Sequence, residues 1–133
     1  MKPSTALYFL LLLPLGVQAG DSFDSRQMNA KRLERTEAGR SYWNQLMVAF
    51  DNQGLEKIQG ECFGAGGEPG TSETYALIAD AMAGGSFENV EVRPNNAKTA
   101  CVASKFRELK APHVPHQFQK HGFPLIIETT QNY

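Results

Sequence analysis

Apolar residues recur along this chain in two distinct rhythms, and the rhythms divide it into elements. Trp43, Leu46, Met47 and Phe50 stand at i, i+3, i+4 and i+7, the spacing of one helical face. Leu55, Ile58 and Cys62 resume that spacing after Asp51-Asn52-Gln53-Gly54. The pattern predicts helical structure over 38–62 with a kink or break near 52–54. Gly64 to Gly70 is a turn by composition. It lacks the glycine spacing and the lysine of a phosphate-binding loop, so that chemistry is not expected.

A period of two follows. Tyr75, Leu77 and Ala79 share one face of a predicted strand over Ser72–Asp80, and Met82 to Ser86 reads as a hairpin connection. Val90 and Val92 alternate with Glu91 and Arg93 in a second strand that stops at Pro94. Asn95 or Asn96 is placed to cap a helix whose buried face would be Cys101, Val102, Phe106 and Leu109. Lys105, Arg107 and Lys110 suit its carboxyl end, where the helix dipole favours cations, and Pro112 stops it. Phe123–Thr129 is the last strand and Thr130–Tyr133 a tail. The order helix, strand, strand, helix, strand predicts an α+β fold, a two-layer sandwich with a small antiparallel sheet.

The start of the chain reads differently. One lysine, an apolar run from Ala6 to Val17, and small residues at Val17 and Ala19 make residues 1–19 a secretory signal peptide, cut before Gly20. The run falls short of the roughly 20 residues that span a bilayer, and no later segment is as apolar. Residues 20–36 are polar and charged and read as a mobile or loosely helical arm, leaving 37–133 as a single domain.

The full chain has 133 residues and a net charge of −1, which argues against a polybasic nucleic-acid binder. From Gly20 onward it carries 12 basic and 14 acidic side chains. An exported chain with two cysteines, Cys62 and Cys101, is expected to bridge them. Closing a loop of about 40 residues would stabilise by about 4 kcal/mol on the chain-entropy account. Their separation is wrong for a redox-active Cys-x-x-Cys.

Several of these residues resemble the carboxy-terminal domain family of the periplasmic energy transducer TonB. The nearer branch is the two-cysteine form found in gliding-motility-type proteins. The matching positions are Ile58 with Cys62-Phe63, Gly70, Gly84-Gly85, Val90-Glu91-Val92, Cys101-Val102 and Phe123-Pro124. They cover about 75 residues, from the mid-fifties to the end. The membrane helix and proline-rich spacer of such transducers have no counterpart here, so the resemblance does not extend to energy transduction. It implies a module that takes up an extended partner strand at a sheet edge, either Phe123–Thr129 or Ser72–Asp80. The expected partner is a periplasmic or outer-membrane protein.

A second function competes. His113, His116 and His121 all lie within nine residues, and imidazoles are good ligands for zinc or copper. A His-x-x-His pair on a proline-bearing loop, with His121 folding back, would make a metal-binding protein. Catalysis has little support in the sequence. Ser72, Ser86 and Ser104 lack a nucleophile's context, and Glu56 and Glu61 are five apart on a helix and diverge. The expectation is a non-enzymatic binding module, with metal handling as the alternative.

Overall fold

The computed structural model describes residues 22–64 and 67–133. The expected leader, residues 1–19, lies outside them. The elements are α1 (Phe23–Glu34), α2 (Glu37–Gln53), α3 (Leu55–Phe63), β1 (Ser72–Ala81), β2 (Phe87–Arg93), α4 (Ala97–Phe106), a 3-10 turn (His116–Phe118) and β3 (Phe123–Asn132). The three strands form one antiparallel sheet in the order β2-β1-β3. The fold is mixed α+β with a small sheet, as the alternating rhythms imply.

The break near residue 54 is real. Gly54 adopts φ 78°, the left-handed region that glycine enters without a Cβ clash, and it ends α2 and starts α3. The buried stripe is turned from the expected one. Tyr42, Leu46 and Phe50 are buried on α2, while Trp43 is half-buried and Met47 is exposed. On α3 the buried positions are Leu55, Gln59 and Phe63, with Ile58 and Cys62 half-buried. Gln59 tolerates burial because its amide donates to the Tyr75 hydroxyl at 2.6 Å and to Thr129 Oγ1 at 3.3 Å.

Asn96 is the cap of α4. Its side chain accepts from Thr99 N–H while Thr99 Oγ1 accepts from Asn96 N–H, a reciprocal capping box. The helix ends at Phe106, earlier than Pro112 alone would require, and Val102 and Phe106 are its fully buried points. Phe50, Phe87 and Phe106 meet as tilted rings 4.7–5.6 Å apart, joining α2, β2 and α4 in the core. Tyr42 packs edge-on against Phe123 and donates to the Pro112 carbonyl at 2.8 Å. Burial pushes its phenol up to about 12.

Helix α1 adds a layer to the expected sandwich. The segment read as a mobile or loosely helical arm contains the helix α1 (Phe23–Glu34), and it packs on the sheet. Phe23 and Ala30 are buried against Ile78 of β1 and Ile126 of β3, on the face opposite α2, α3 and α4. The sheet is therefore covered on both sides rather than on one. Few apolar residues mark α1 because its contact is narrow. Its capping is nevertheless complete: Ser22 Oγ accepts from Ser25 N–H, and Thr36 starts α2 by accepting from Gly39 N–H. Gly39 is where α1 and α2 come closest, since a Cβ there would lie 1.8 Å from the Leu33 carbonyl oxygen.

Packing of α1 makes its loss measurable. Phe23→Ala should lower the unfolding free energy by about 3 kcal/mol, read as a shift in the urea midpoint. An unchanged midpoint would return residues 22–34 to the status of a free arm.

Candidate functional site

The central position of β1 decides which edges are open. β1 pairs with β3 over Ser72–Ala81 but with β2 only over Ala76–Ala81, so its open stretch on the β2 side is limited to Ser72–Tyr75. The expected Ser72–Asp80 edge is thus central over most of its length, and the outer strands of the sheet are β2 and β3.

The β2 edge is irregular and occupied. Its register with β1 shifts between Ile78 and Asp80, and Asn89 takes φ 53° in the resulting bulge. Arg26 of α1 donates to the Asn89 carbonyl at 2.7 Å, and Arg107 donates to the Val90 carbonyl at 3.3 Å. Arg26 is held there by Asp80 at 3.7 Å and Glu91 at 3.5 Å, and the Asn89 amide also donates to Asp80 at 2.8 Å. These groups floor a polar cleft of about 670 Å³ that His121 and Phe118 border. Its two carboxylates already face Arg26.

The β3 edge differs. Tyr133 N–H donates to the Thr71 carbonyl at 3.0 Å, in step with the Ser72↔Asn132 register. Odd-numbered positions of β3 therefore bond β1, and even-numbered ones turn their N–H and C=O outward. Pro124, which has no N–H to give, stands at one of those outward positions. Ile126, Glu128, Thr130 and Asn132 follow it. Among the described residues, no hydrogen bond reaches the outer backbone of these four. Side chains hold the strand from its faces instead. Glu128 meets Lys31 and Gln27 of α1, each at 2.9 Å, and Thr130 and Thr74 share a hydroxyl bond of 3.0 Å.

A latch fixes the end of this edge. The Tyr133 hydroxyl donates to the Glu73 carboxylate, and Lys98 of α4 donates to the same carboxylate at 2.8 Å. Lys98 also stands 5.3 Å from the centre of the Tyr133 ring and 5.9 Å from that of Phe63. Gly67 lies beneath the ring, where a Cβ would fall 2.2 Å from Tyr133 carbons. Nothing in the spacing of Glu73, Lys98 and Tyr133 foretold their meeting.

Cys62 and Cys101 do come together. Their sulfurs are at bonding distance with Cα atoms 5.6 Å apart, tying the last turn of α3 to α4. Lys105 and Glu61, 2.8 Å apart, join the same two helices. The three histidines are exposed: His113 in the extended segment after α4, His116 at the start of the 3-10 turn, and His121 in the turn that follows. The loop is anchored by buried Val114 and by Phe118 against Phe123, which points its apolar residues inward and leaves its imidazoles outside. Among the described residues no three His, Cys, Asp or Glu side chains form a group that could hold a metal ion, so the expected zinc or copper set is not assembled. Ser86 bonds only Glu88, at 3.5 Å, while Ser72 and Ser104 are exposed.

Comparison with family models, with curated proteins and with solved structures finds no match to this chain. No helix among the described residues is long and apolar enough to cross a membrane.

Two predictions follow from this geometry. Lys98 and Tyr133 hold the Glu73 carboxyl below its ordinary value of 4.5, so the stabilising contact is present above that value and fades as pH falls through the lowered one. Tyr133 ring resonances should lose their dispersion as pH drops below about 4.5; a ring environment constant down to pH 2 would show that the carboxylate is not its anchor. Replacing both cysteines by alanine should cost about 2–4 kcal/mol in denaturant unfolding, and no cost would mean that the thiols are unbridged in solution.

Proposed function

We propose that this chain is an exported, non-enzymatic protein-binding module that adds a partner's extended segment to the outer edge of β3. One observation carries the reading. β3 is the sheet edge with outward backbone groups at Ile126, Glu128, Thr130 and Asn132 that no described residue satisfies, whereas arginines cover the carbonyls of the β2 bulge. An unpaired row of donors and acceptors is a template for another strand, and native proteins ordinarily blunt such rows. Here the blunting is confined to Pro124 at the start and to the charge of Glu128.

The span suits a short segment. Seven residues from Ile126 to Asn132 extend about 20 Å, enough for one ordinary strand. Main-chain bonds would supply affinity, and selectivity would come from side chains beside the edge. On the α1 side these are Glu128 and Thr130, and on the other side Ile127, Thr129 and Gln131. The resemblance to TonB carboxy-terminal domains supports this mode, and the leader read in residues 1–19 supports a periplasmic or secreted setting, with a partner from that compartment or the outer membrane. The disulfide serves the frame in this reading, since it holds α3 to α4 on the far side of the sheet from α1.

A photocrosslinking residue placed at Thr130 or Asn132, in the protein expressed in its own host, should trap a partner that the same residue at Glu88 on β2 does not. Thr130→Pro deletes an outward N–H without touching the β1 ladder, and it should abolish the adduct formed from Asn132. Thr130→Ala should keep it. Equal adducts from both edges, or adducts indifferent to Thr130→Pro, would reject strand addition at β3.

A further inference from the structure

The sheet-facing side of α1 is accounted for by Phe23, Ala30 and Arg26, but its outward side is not. Met28, Arg32 and Arg35 stand at i, i+4 and i+7, on the stripe opposite Phe23 and Ala30, with Arg32 also bordering the cleft beside the β2 bulge. Met28 is 72% exposed, the most exposed of the large apolar side chains among the described residues. Arg40, in the first turns of α2, extends the stripe past the α1–α2 junction. Two shallow depressions flank Arg35, one bordered by Met28, Lys31 and Arg32, the other by Arg40, Ser41, Asn44 and the single carboxylate Glu37.

The charge here runs against the rest of the molecule. Residues 26–40 hold five cations and two carboxylates, while residues 41–133 hold seven cations and ten carboxylates. Arg26 and Lys31 are committed to Asp80, Glu91 and Glu128. Among the described residues, Arg32, Arg35 and Arg40 have no carboxylate within ion-pairing distance, and Arg32 contacts only Asn29, at 2.7 Å. Three unneutralised arginines on a net acidic protein are a directed field rather than general basicity.

We propose that this face docks on an anionic phospholipid surface, with Arg32, Arg35 and Arg40 on the headgroups and Met28 reaching into the interface. Two features favour a bilayer over an acidic protein. The patch is broad and shallow, without a groove that would grip a peptide. An apolar side chain projects from among the cations, which costs free energy in water and gains it at the headgroup boundary. The proposal is independent of strand addition at β3, since the stripe faces away from the sheet.

The test is flotation of the protein, as its host processes it, with vesicles of phosphatidylcholine alone or mixed with phosphatidylglycerol. Binding should be confined to the phosphatidylglycerol vesicles and should weaken as salt is raised. Each basic residue near an anionic surface contributes about fivefold, so the double variant Arg32→Glu, Arg35→Glu should lose about 25-fold or more. Lys110→Glu with Lys120→Glu changes net charge equally and should bind nearly as the parent does. Met28→Ser should weaken binding without removing its salt dependence. All sites are exposed, and unchanged thermal midpoints would confirm that the variants fold. Equal binding to both vesicle types, equal loss in the two double variants, or binding to soluble heparin with none to vesicles would overturn the proposal.

Discussion

Everything in this fold depends on the middle of β1 being buried on both faces and paired on both edges. Leu77, Ile78 and Ala79 are consecutive, yet all three are almost inaccessible to water, although successive side chains point to opposite sides. Leu77 and Ala79 meet the core shared by α2, α3 and α4, while Ile78 meets α1. Such a strand has no polar face to give. Its neighbours must cover it twice, so α1 belongs to the fold despite its thin apolar content. The small residues Ala76, Ala79 and Ala81 let the covering layers approach closely, and Gly39 does the same where α1 meets α2.

What the sequence made legible was local. Helix and strand periodicities, the Gly54 break, the Met82–Ser86 connection and an asparagine cap before α4 all depend on residues within a turn or two of each other. The two cysteines were legible for another reason: a chain with only two thiols has one internal pairing to make. The misjudgements came from long-range choices. Trp43 and Met47 looked more hydrophobic than Tyr42, but Tyr42 has a buried acceptor at Pro112, seventy residues on. Gln59 looked like surface until Tyr75 and Thr129 were in place to receive its amide. Ser72–Asp80 looked like an edge because hairpin pairing with β2 follows from a short turn, whereas nothing local says that β3 returns to its other side.

The candidate site was less legible than the fold for a physical reason. An open edge is defined by which backbone groups lack partners, and that depends on every other element having been placed. Arg107 suggested a helix-dipole partner, and it does sit at the end of α4, but its guanidinium also reaches the Val90 carbonyl. Arg26 suggested an exposed arm and instead spans α1 to the β2 bulge. In the histidine loop, closeness in sequence and direction in space part company. Three imidazoles close in sequence resembled a ligand set, but the loop is held by Val114 and Phe118, and anchoring through apolar residues leaves the polar ones outside.

The two edges of the sheet are consequently not independent of α1. One side of that helix supplies Arg26 to the Asn89 carbonyl on β2, and Gln27 and Lys31 to Glu128 on β3. Its grip on the sheet rests on few buried side chains, chiefly Phe23 and Ala30, against the broad core on the other face. A helix so attached is the part of the molecule that opens at least cost, because local opening free energy follows buried apolar contact. Its polar contacts make that opening unequal in effect. Release of α1 would strip a donor from the β2 bulge and unpair Glu128, whereas the Arg107 contact and the Glu73–Lys98–Tyr133 latch, built on other elements, would persist. The register of β3 is therefore held from several sides, by its ladder with β1 and the latch at its end as well as by the helix that covers it.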